Sequence, residues 1–355
     1  MKIVHVHRIG GIGGSERHLL TLLPALAERG VEVSFLGLDH TGAAPEPFYE
    51  ALGAAGIRFE RLPSKRDVSP ALPFRIARAV FGRSPDLVHT HLVHADVYGA
   101  LVPGTRLVST KHNDDPFRVT PAFRSLEGLL ARRASRLIAI SESLRRFTVE
   151  QVGLPQEKVE VVRYGLDELP SPWGENPALG LPEGARVLLC VGRLVPQKGV
   201  DVAVRALPAI RAAHPEAVLV VLGEGPQRVE LAGEGVYLPG RVGDVAAWYR
   251  RAELVVHPVR WEGFGLALLE AMLAAKAVVA SSVSSAPEIV AGGETGLLVP
   301  PDDPERLGEA VSSLLADPAR AEALGRAGLE RARSAFSVAR MAEETIAVYE
   351  RALAG

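Results

Sequence analysis

The sequence contains little of several features that would point to particular protein classes. It has one cysteine, Cys190, which excludes an intramolecular disulfide and a cysteine-based zinc site. Aromatic residues make up only 5% of the chain, which argues against a surface that stacks nucleic-acid bases. The 40 basic and 42 acidic residues leave a net charge of −2, so no overall field attracts nucleic acid. A nucleic-acid-binding protein is therefore disfavoured.

Long hydrophobic runs are also absent. The most apolar window, 265–275, contains Glu270 and is followed by Lys276, so we expect no helix that spans a membrane. The N-terminal segment, MKIVHVHRIGG, has no apolar core of signal-peptide length. Cys190 lies within an apolar run and fits a buried, reduced thiol. These features predict a soluble, cytoplasmic protein.

The chain itself is long and apolar enough for two domains. It has 355 residues, of which 47% are hydrophobic, and a domain usually takes about 100–200 residues. Short apolar runs alternate with segments of helical periodicity, which is typical of parallel sheets covered by helices. The runs predicted as strands are 2–7, 31–38, 86–90, 106–110, 136–140 and 158–162, then 187–192, 217–223, 253–258, 276–281 and 295–300.

A proline-rich interruption separates these two sets of strands. We therefore predict an α/β fold with two doubly wound, Rossmann-like domains. The predicted boundaries are an N-terminal domain over 1–168, a linker over 169–184, a C-terminal domain over 185–336, and a helix over 337–355 that returns to the first domain. Ligands of such sheets bind at the carboxyl ends of the strands, so the loops after the strands are the places to search for chemistry.

A glycine-rich loop follows the first strand, at 10–14. Exposed backbone amides before a helix over 17–29 form an anion site, since glycine lets the backbone approach a ligand. The alternative is a plain turn, with Ser15 as the N-cap and Glu16 in the first helical turn; both interpretations stay open. Glu16 occupies the third glycine position of the dinucleotide-binding fingerprint, which disfavours a dehydrogenase.

Histidines cluster near the strand ends of the first half. His89, His91 and His94 follow one another closely, but no carboxylate pair or cysteine accompanies them, so a metal site is disfavoured. His112 lies just past a strand end, in the sequence STKHND. It is a candidate for contact with substrate, and the alternative is a histidine exposed to solvent.

Three loops in the second half carry polar residues directly after strands. Arg193 and Lys198 lie in the first loop and suit a diphosphate, because arginine binds phosphate in a bidentate manner and lysine adds a point charge. The second loop contains Gly223 and Gly225, which fit either a ligand approach or a tight turn. The third loop begins with Glu262, and Glu270 follows among apolar residues, where a carboxylate needs a ligand or a partner.

Taken in order, these segments resemble the retaining, two-domain GT-B glycosyltransferases of family 4, the glycosyl transferase group 1 type. The resemblance covers nearly the whole chain. The matching segments are Gly13-Gly14-x-Glu16, Ala139-Ile140-Ser141, Tyr164-Gly165-Leu166-Asp167, Gly192-Arg193-Leu194 with Lys198-Gly199, Gly223-x-Gly225, Gly240-Arg241-Val242, the pair Glu262 and Glu270, and Pro287-Glu288-Ile289-Val290 with Gly296-Leu297-Leu298-Val299.

The resemblance implies a GT-B fold with two domains facing a central cleft, and a nucleotide-sugar (NDP-sugar) donor as substrate, without a cofactor. The second domain is expected to hold most of the donor. By analogy, Arg193 and Lys198 contact the diphosphate, Glu270 binds the ribose hydroxyls, and Val242 presents its backbone to the base.

The remaining roles follow from the same resemblance. Glu262 and the amides of Phe264, Gly265 and Leu266 are expected to hold the sugar and its phosphate, and Gly223 also belongs to the donor site. Gly14 is expected to close over the phosphates from the first domain, with His112 near the anomeric carbon. The chain departs from the family pattern at two places: Ser284-Ser285-Ala286 replaces the usual Gly-Gly before Pro-Glu, and Tyr164 replaces an Asn.

The resemblance implies transfer of a sugar with retention of anomeric configuration. We expect no metal ion to be needed, because the chain has no Asp-x-Asp motif. The alternatives are another GT-B enzyme, such as a nucleotide-sugar epimerase or a phosphorylase-like enzyme, and a non-catalytic two-domain protein that binds sugar nucleotides. The acceptor, whether glycan, lipid or small molecule, has no signature, and neither has the oligomeric state.

One basic segment suggests a peripheral contact with the inner face of a membrane. Arginines flank apolar side chains there, which suits an anionic lipid surface. The alternative, a helix face exposed to water, is favoured about two to one. The residues are Arg118, Arg124, Arg132, Arg133 and Arg136 with Phe123, Leu126, Leu129 and Leu130.

Overall fold

The computed structural model describes residues 1–39, 45–63, 71–169 and 179–355. Contacts within the chain divide it into two compact units. The first unit consists of Met1–Gly165 and Val338–Gly355, and the second unit of Leu166–Ser337. Residues 170–178 of the predicted linker lie outside the described ranges.

The first unit is a parallel sheet with helices. Within the described ranges, its strands are β1 (Lys2–Ile9), β2 (Glu32–Asp39), β3 (Arg58–Arg61), β4 (Leu87–His91), β5 (Arg106–Lys111), β6 (Arg136–Ala139) and β7 (Val159–Val161). Its helices are α1 (Gly14–Glu28), α2 (Glu46–Ala54), α3 (Leu72–Phe81), α4 (Leu92–Ala100), α5 (Pro121–Arg133), α6 (Glu142–Arg146) and, at the C-terminus, α13 (Val338–Ala354). Short 3-10 turns at 116–119 and 156–158 and a π-helical turn at 147–152 connect them.

The strand order of this sheet is β3-β2-β1-β4-β5-β6-β7. The order changes direction between β1 and β4, which pair in parallel with His5 opposite His89 and His7 opposite His91. The helix α13 packs its apolar face into the core of this unit, where Met341, Val348 and Tyr349 join side chains of α1. The C-terminal helix therefore supplies core residues to the N-terminal sheet.

The second unit repeats the same design. In the described residues, its strands are β8 (Arg186–Val191), β9 (Ala217–Leu222), β10 (Val236–Gly240), β11 (Leu254–His257), β12 (Val278–Ser281) and β13 (Leu297–Val299). Its helices are α7 (Val200–Ala213), α8 (Val245–Arg251), α9 (Leu266–Leu273), α10 (Ala286–Ile289), α11 (Pro304–Ala316) and α12 (Pro318–Ala335), with 3-10 turns at 196–198 and 226–228. The order β10-β9-β8-β11-β12-β13 changes direction between β8 and β11.

The strand predictions hold for the central strands and fail at one edge of each sheet. Two strands that lie at the ends of their sheets, β3 and β10, were not predicted. β3 reads RFER and is mostly exposed, and β10 reads VYLPG and contains a proline. Edge strands lack the two-sided burial that makes an apolar run visible, and they tolerate proline. Helix α1 also begins earlier than predicted: Gly13, not Ser15, is its N-cap.

Candidate functional site

In the second unit, a lysine, a glutamate and a histidine meet where the strand order changes direction. Lys198 follows β8, and Glu262 follows the neighbouring strand β11. The Lys198 ammonium donates to Oε1 of Glu262, and the ring of His257 donates from Nε2 to Oε2 at 2.7 Å. Burial alone would raise the pKa of Glu262, but Lys198 and His257 outweigh it and lower that pKa. Glu262 is therefore an ionised carboxylate with a donor on each oxygen.

The two loops that carry this group are fastened to each other. The backbone N–H of Arg260 donates to the carbonyl of Gln197 at 2.9 Å, and the Gln197 side chain donates back to the carbonyl of Trp261 at 3.1 Å. Gly199 has a left-handed backbone, and a Cβ there would lie 1.9 Å from the carbonyl oxygen of Pro258. Only glycine allows so close an approach, so the loop geometry fixes where Lys198 meets Glu262.

Arg193, the other predicted diphosphate ligand, lies on the same loop as Lys198 but is exposed. Its Nη2 donates to Oε1 of Gln197 at 3.0 Å. The structure thus brings Lys198 and Glu262 together and gives Arg193 a separate, neutral partner. Among the residues that the structure describes, its partner is this amide oxygen, so the guanidinium can turn to an anion at small cost.

The Gly223-x-Gly225 segment packs against the loop that carries Arg193. A Cβ at Gly223 would lie 2.0 Å from the carbonyl oxygen of Gly192, and one at Gly225 would lie 2.3 Å from that of Leu194. Packing between neighbouring loops thus explains both glycines without a ligand. A donor contact at Gly223 remains a prediction.

Glu270 is 2% exposed, and its burial has a local explanation. The hydroxyl of Tyr249, on α8, donates to Oε2 of Glu270 at 2.8 Å. This tyrosine supplies the partner that a carboxylate among apolar residues requires. Val242, expected at the base, lies in the turn before α8 and is buried.

The serines that replace the usual glycines hold the loop of Glu262 in place. Ser284 has a left-handed backbone, and its Oγ accepts from the backbone N–H of Glu262 at 3.1 Å. The hydroxyl of Ser285 donates to the carbonyl of Phe264 at 2.5 Å. Gly265 caps α9 with a positive φ, so the amides of Gly265 and Leu266 lie at the start of that helix.

In the first unit, His112 follows β5 and lies within a group of aromatic and imidazole rings. Its Nε2 is 3.0 Å from Nδ1 of His91, and its Nδ1 bonds to the hydroxyl of Tyr164. The ring of His18 stacks on Tyr164 at a centroid distance of 4.2 Å. Burial, followed by the nearby His18, His7 and Lys111, holds the pKa of His112 well below its ordinary value. His112 is therefore neutral at physiological pH.

A contact between a histidine and a glutamate lies beside this group, at the glycine-rich loop. Nδ1 of His7 is 3.1 Å from the carbonyl oxygen of His91, and Nε2 is 3.2 Å from Oε1 of Glu16. Oε2 of Glu16 accepts from the backbone N–H of Gly13 at 2.9 Å. Gly13 is the N-cap of α1, and Gly14 is the first residue of that helix.

The segment after His112 is anchored by a second buried network. Lys111 donates to Oδ2 of Asp96 at 2.6 Å, and Arg118 donates to both oxygens of Glu127 at 2.6 and 2.8 Å. Arg118 also donates to the carbonyl of Asn113. These contacts tie the chain on the C-terminal side of His112 to α5.

The burial of two residues corrects part of the lipid-facing interpretation of residues 118–136. Arg118 is only 1% exposed because it pairs with Glu127, and Leu130 is buried. Arg133 donates to the carbonyls of Val102 and Thr105. The patch is therefore wrong for Arg118 and Leu130. Among the helices within the described ranges, none is both long enough and apolar enough to cross a membrane.

The histidine cluster of the first unit brings three possible metal ligands close together. Ligand atoms of His5, His89 and His91 lie within 4.8 Å of one another, and all three residues are buried. Their ring nitrogens bond to one another and to Tyr349, Thr110 and His112. In the part of the chain that the structure describes, no carboxylate joins the three, so a dication there would lack a compensating charge. Hydrogen bonding accounts for the cluster.

Sequence reasoning missed several residues of these two groups. His257 and Tyr249 were not singled out, although each lies near a predicted ligand, at the end of β11 or on α8. Tyr164 was noted only as a departure from a family pattern. An alternating His-x-His pattern on two strands was the one available signal for the ring cluster, since alternate residues of a strand share a face.

Comparisons with known proteins match both units. The family model described as glycosyl transferases group 1 matches residues 185–317, and the model described as glycosyltransferase family 4 matches residues 12–168. A glycogen synthase of Mycobacterium tuberculosis is 32% identical over 76% of this chain and 70% of its own length. A D-inositol 3-phosphate glycosyltransferase of Catenulispora acidiphila is 31% identical over 98% of this chain and 92% of its own length.

A solved structure has the same fold. HepE from Anabaena, in complex with UDP-glucose, superposes with a TM-score of 0.83 at 23% sequence identity and covers 99% of both chains. At this identity the similarity shows the two-domain α/β fold, as the strand orders of the two sheets indicate.

Proposed function

The chain belongs to the glycosyltransferases of group 1 and family 4, and on that premise we propose that it takes its sugar from a nucleoside diphosphate donor and retains the anomeric configuration. The observation that carries the proposal is the group formed by Lys198, Glu262 and His257 at the carboxyl ends of β8 and β11. A cation and a carboxylate lie there, at the point where doubly wound sheets bind ligands, and this supports the proposal.

The diphosphate is proposed to bind Arg193 and Lys198. Arg193 is exposed and, within the described ranges, donates to a neutral amide oxygen, so it can turn to a phosphate. Lys198 keeps its ammonium near Glu262 and has two further hydrogens to donate. Together the cations would stabilise the charge that develops on the departing diphosphate.

Glu262 is proposed to bind sugar hydroxyls rather than to attack the sugar. A nucleophilic carboxylate needs an oxygen directed at the anomeric carbon. In Glu262, Oε1 faces Lys198 and Oε2 faces His257, so both oxygens are held by donors. Each retains a lone pair for a hydroxyl group. Glu270, whose Oε2 accepts from Tyr249, is proposed to bind the ribose hydroxyls.

The reaction then proceeds without a covalent glycosyl-enzyme. The bond from the anomeric carbon to the phosphate oxygen breaks, and the acceptor oxygen bonds to that carbon from the same face. The acceptor's proton passes to the departing diphosphate. The transition state resembles an oxocarbenium ion, so a neutral His112 beside the sugar would not oppose its positive charge. Burial, and after it the nearby His18, His7 and Lys111, lower the pKa of His112 and keep it neutral.

The remaining donor contacts are proposed on the same basis. Gly14, at the start of α1, would meet the phosphates, and the amides of Phe264, Gly265 and Leu266 would hold the sugar phosphate. Gly223 and Val242 would meet the nucleotide through the backbone. The donor charge is balanced by side chains in this scheme, so we propose that the transfer needs no metal ion.

The experiment is a donor panel with a single readout. UDP-, GDP- and ADP-sugars, beginning with UDP-glucose because HepE was solved with it, are incubated with the protein and excess EDTA. We expect at least one donor to release its nucleoside diphosphate. This release should be lost in the double variant that combines Glu262→Gln with Lys198→Met. Binding of donors without any turnover would instead support a non-catalytic sugar-nucleotide-binding protein.

A further inference from the structure

Three histidine rings in the first unit form a continuous chain of hydrogen bonds, and His112 is the last of the three rings. His5 Nδ1 lies 3.0 Å from His91 Nε2, and His91 Nδ1 lies 3.0 Å from His112 Nε2. His112 continues the chain from Nδ1 to the hydroxyl of Tyr164. His5 and His91 are fully buried, so their ring nitrogens depend on one another for hydrogen-bond partners.

The chemistry of imidazole couples the three rings. Burial lowers the pKa of His5 to about 3 and that of His91 and His112 well below the ordinary value, so each ring carries one hydrogen. A contact between two ring nitrogens needs one hydrogen, neither none nor two. If His112 donates from Nε2, then His91 and His5 must also carry their hydrogen on Nε2. In the reverse arrangement all three carry it on Nδ1. The rings therefore share one tautomer.

The chain has a second end at the C-terminal helix. His5 Nε2 is 3.3 Å from the hydroxyl oxygen of Tyr349, which lies 2.7 Å from Nδ1 of His89. The phenol has one hydrogen, so it donates to one of these rings and accepts from the other. His89 Nε2 is in turn 2.7 Å from the hydroxyl of Thr110. The arrangement that satisfies every group gives His89 the same tautomer as the other rings.

We infer that Tyr349, His5 and His91 are positioning residues that fix which ring nitrogen of His112 carries the hydrogen. The side chain of Tyr349 comes from α13, at the far end of the sequence, and acts on His112 only through His5 and His91. The inference rests on the proposed function where it assigns a consequence to that tautomer.

The tautomer decides what Tyr164 offers to a neighbouring ligand. With the hydrogen on Nδ1, His112 donates to Tyr164, and the phenol hydrogen turns to another acceptor. With the hydrogen on Nε2, Tyr164 donates to His112 and presents oxygen lone pairs instead. One chain of neutral groups thus sets whether the polar group beside His112 donates or accepts.

The first test uses the unaltered protein. Histidine-directed ¹⁵N NMR distinguishes a protonated from an unprotonated ring nitrogen, and single His→Gln variants assign the signals. We expect His5, His91 and His112 to carry their hydrogen on the same ring position, or in the same ratio between the two positions. Different tautomers in any two of these rings would overturn the inference, whatever the fate of the proposed function.

The second test removes the phenol hydroxyl with Tyr349→Phe. The tautomer ratio of His112 should change, and kcat should fall about five-fold, the effect of one neutral hydrogen bond, with the Kd for nucleoside diphosphate unchanged. The matched control is Tyr49→Phe, which removes a buried phenol hydroxyl that bonds to Asp39 instead. An unchanged His112 spectrum, or an equal change in the control, would overturn the inference. A changed spectrum with unaltered kcat would support it and contradict the proposed role of His112.

Discussion

The two units carry different kinds of polar groups on and directly after the strands near which their sheets change direction. In the second unit, Lys198 and Glu262 are charged and hold each other, with His257 as a further donor. In the first unit, His5, His91 and His112 are neutral rings that bond in series. The charged group suits an anionic ligand, and the neutral rings suit an uncharged sugar that gains positive charge during transfer.

This difference distinguishes buried charges that stabilise the fold from charges that are available to a ligand. An ion pair is costly to bury, and its removal leaves an uncompensated charge. The first unit does contain buried ions, but Arg118 and Glu127 lie beneath the loop of His112 and support it. Their function is structural, whereas the charges of Lys198 and Glu262 are proposed to meet the donor.

The largest expected effect separates these two uses of charge. Arg118→Met removes both arginine hydrogen bonds from the buried Glu127 and leaves it only the ammonium of Lys111 at 3.4 Å among the described residues, so the free energy of unfolding should fall by up to about 3–5 kcal/mol. Calorimetry of thermal unfolding measures this loss. Affinity for nucleoside diphosphate, measured below the transition, should stay unchanged. The control is Arg326→Met, at an exposed pair with Glu322, which should cost about 0–1 kcal/mol. Equal losses in both variants would contradict the structural role.

The next effect concerns donor binding by the second unit. Loss of a charge-assisted contact in Arg193→Ala or Lys198→Ala should weaken diphosphate binding by about 1.5–3 kcal/mol, roughly tenfold or more. Isothermal titration with UDP, GDP and ADP measures the Kd. The control is Arg211→Ala, which removes a cation at the other end of α7 that pairs with Glu234. This variant should leave the Kd for nucleoside diphosphate unchanged. Variants that bind as tightly as the wild type would remove the diphosphate assignment.

A smaller effect is expected at the neutral group. His112→Ala removes hydrogen bonds of about 1 kcal/mol, so kcat should fall about five-fold while the Kd for nucleoside diphosphate stays the same. Steady-state kinetics and titration together make this distinction. If binding weakens as much as turnover, His112 acts on the donor's nucleotide and not on the transferred sugar.

The last prediction is that removal of divalent metal ions leaves the turnover rate unchanged. If Arg193 and Lys198 supply the positive charge at the diphosphate, excess EDTA should leave turnover unaltered. Initial rates with and without EDTA test this directly. Turnover that EDTA abolishes and Mg²⁺ or Mn²⁺ restores would show that the side chains do not suffice.

Much of the fold could be predicted because the central strands are buried on both faces and most of them are apolar, as in β9. The edge strands β3 and β10 were not predicted. An edge strand pairs on one side only and therefore tolerates polar residues, as in β3, or a proline, as in β10. The loops with Arg193, Lys198 and Glu262 were also found, since glycine and charge directly after a strand are visible in the sequence.

The partnerships within the site could not be predicted. Lys198 meets Glu262 only because β8 and β11 are neighbours in the sheet, and strand order is not written in either segment. Tyr349 reaches His5 only because α13 joins the first core. Tyr164 looked like a neutral departure, while in the fold its hydroxyl is the partner of His112. Such contacts depend on tertiary neighbours and not on local pattern.

The most direct test of the account is the configuration of the product. Once a donor is identified, ¹H NMR of the product formed early in the reaction distinguishes the two anomers. An α-linked donor should give an α-linked product, without a glycosyl adduct on Glu262 in mass spectra. A β-linked product, or a covalent sugar on Glu262, would contradict the central claim.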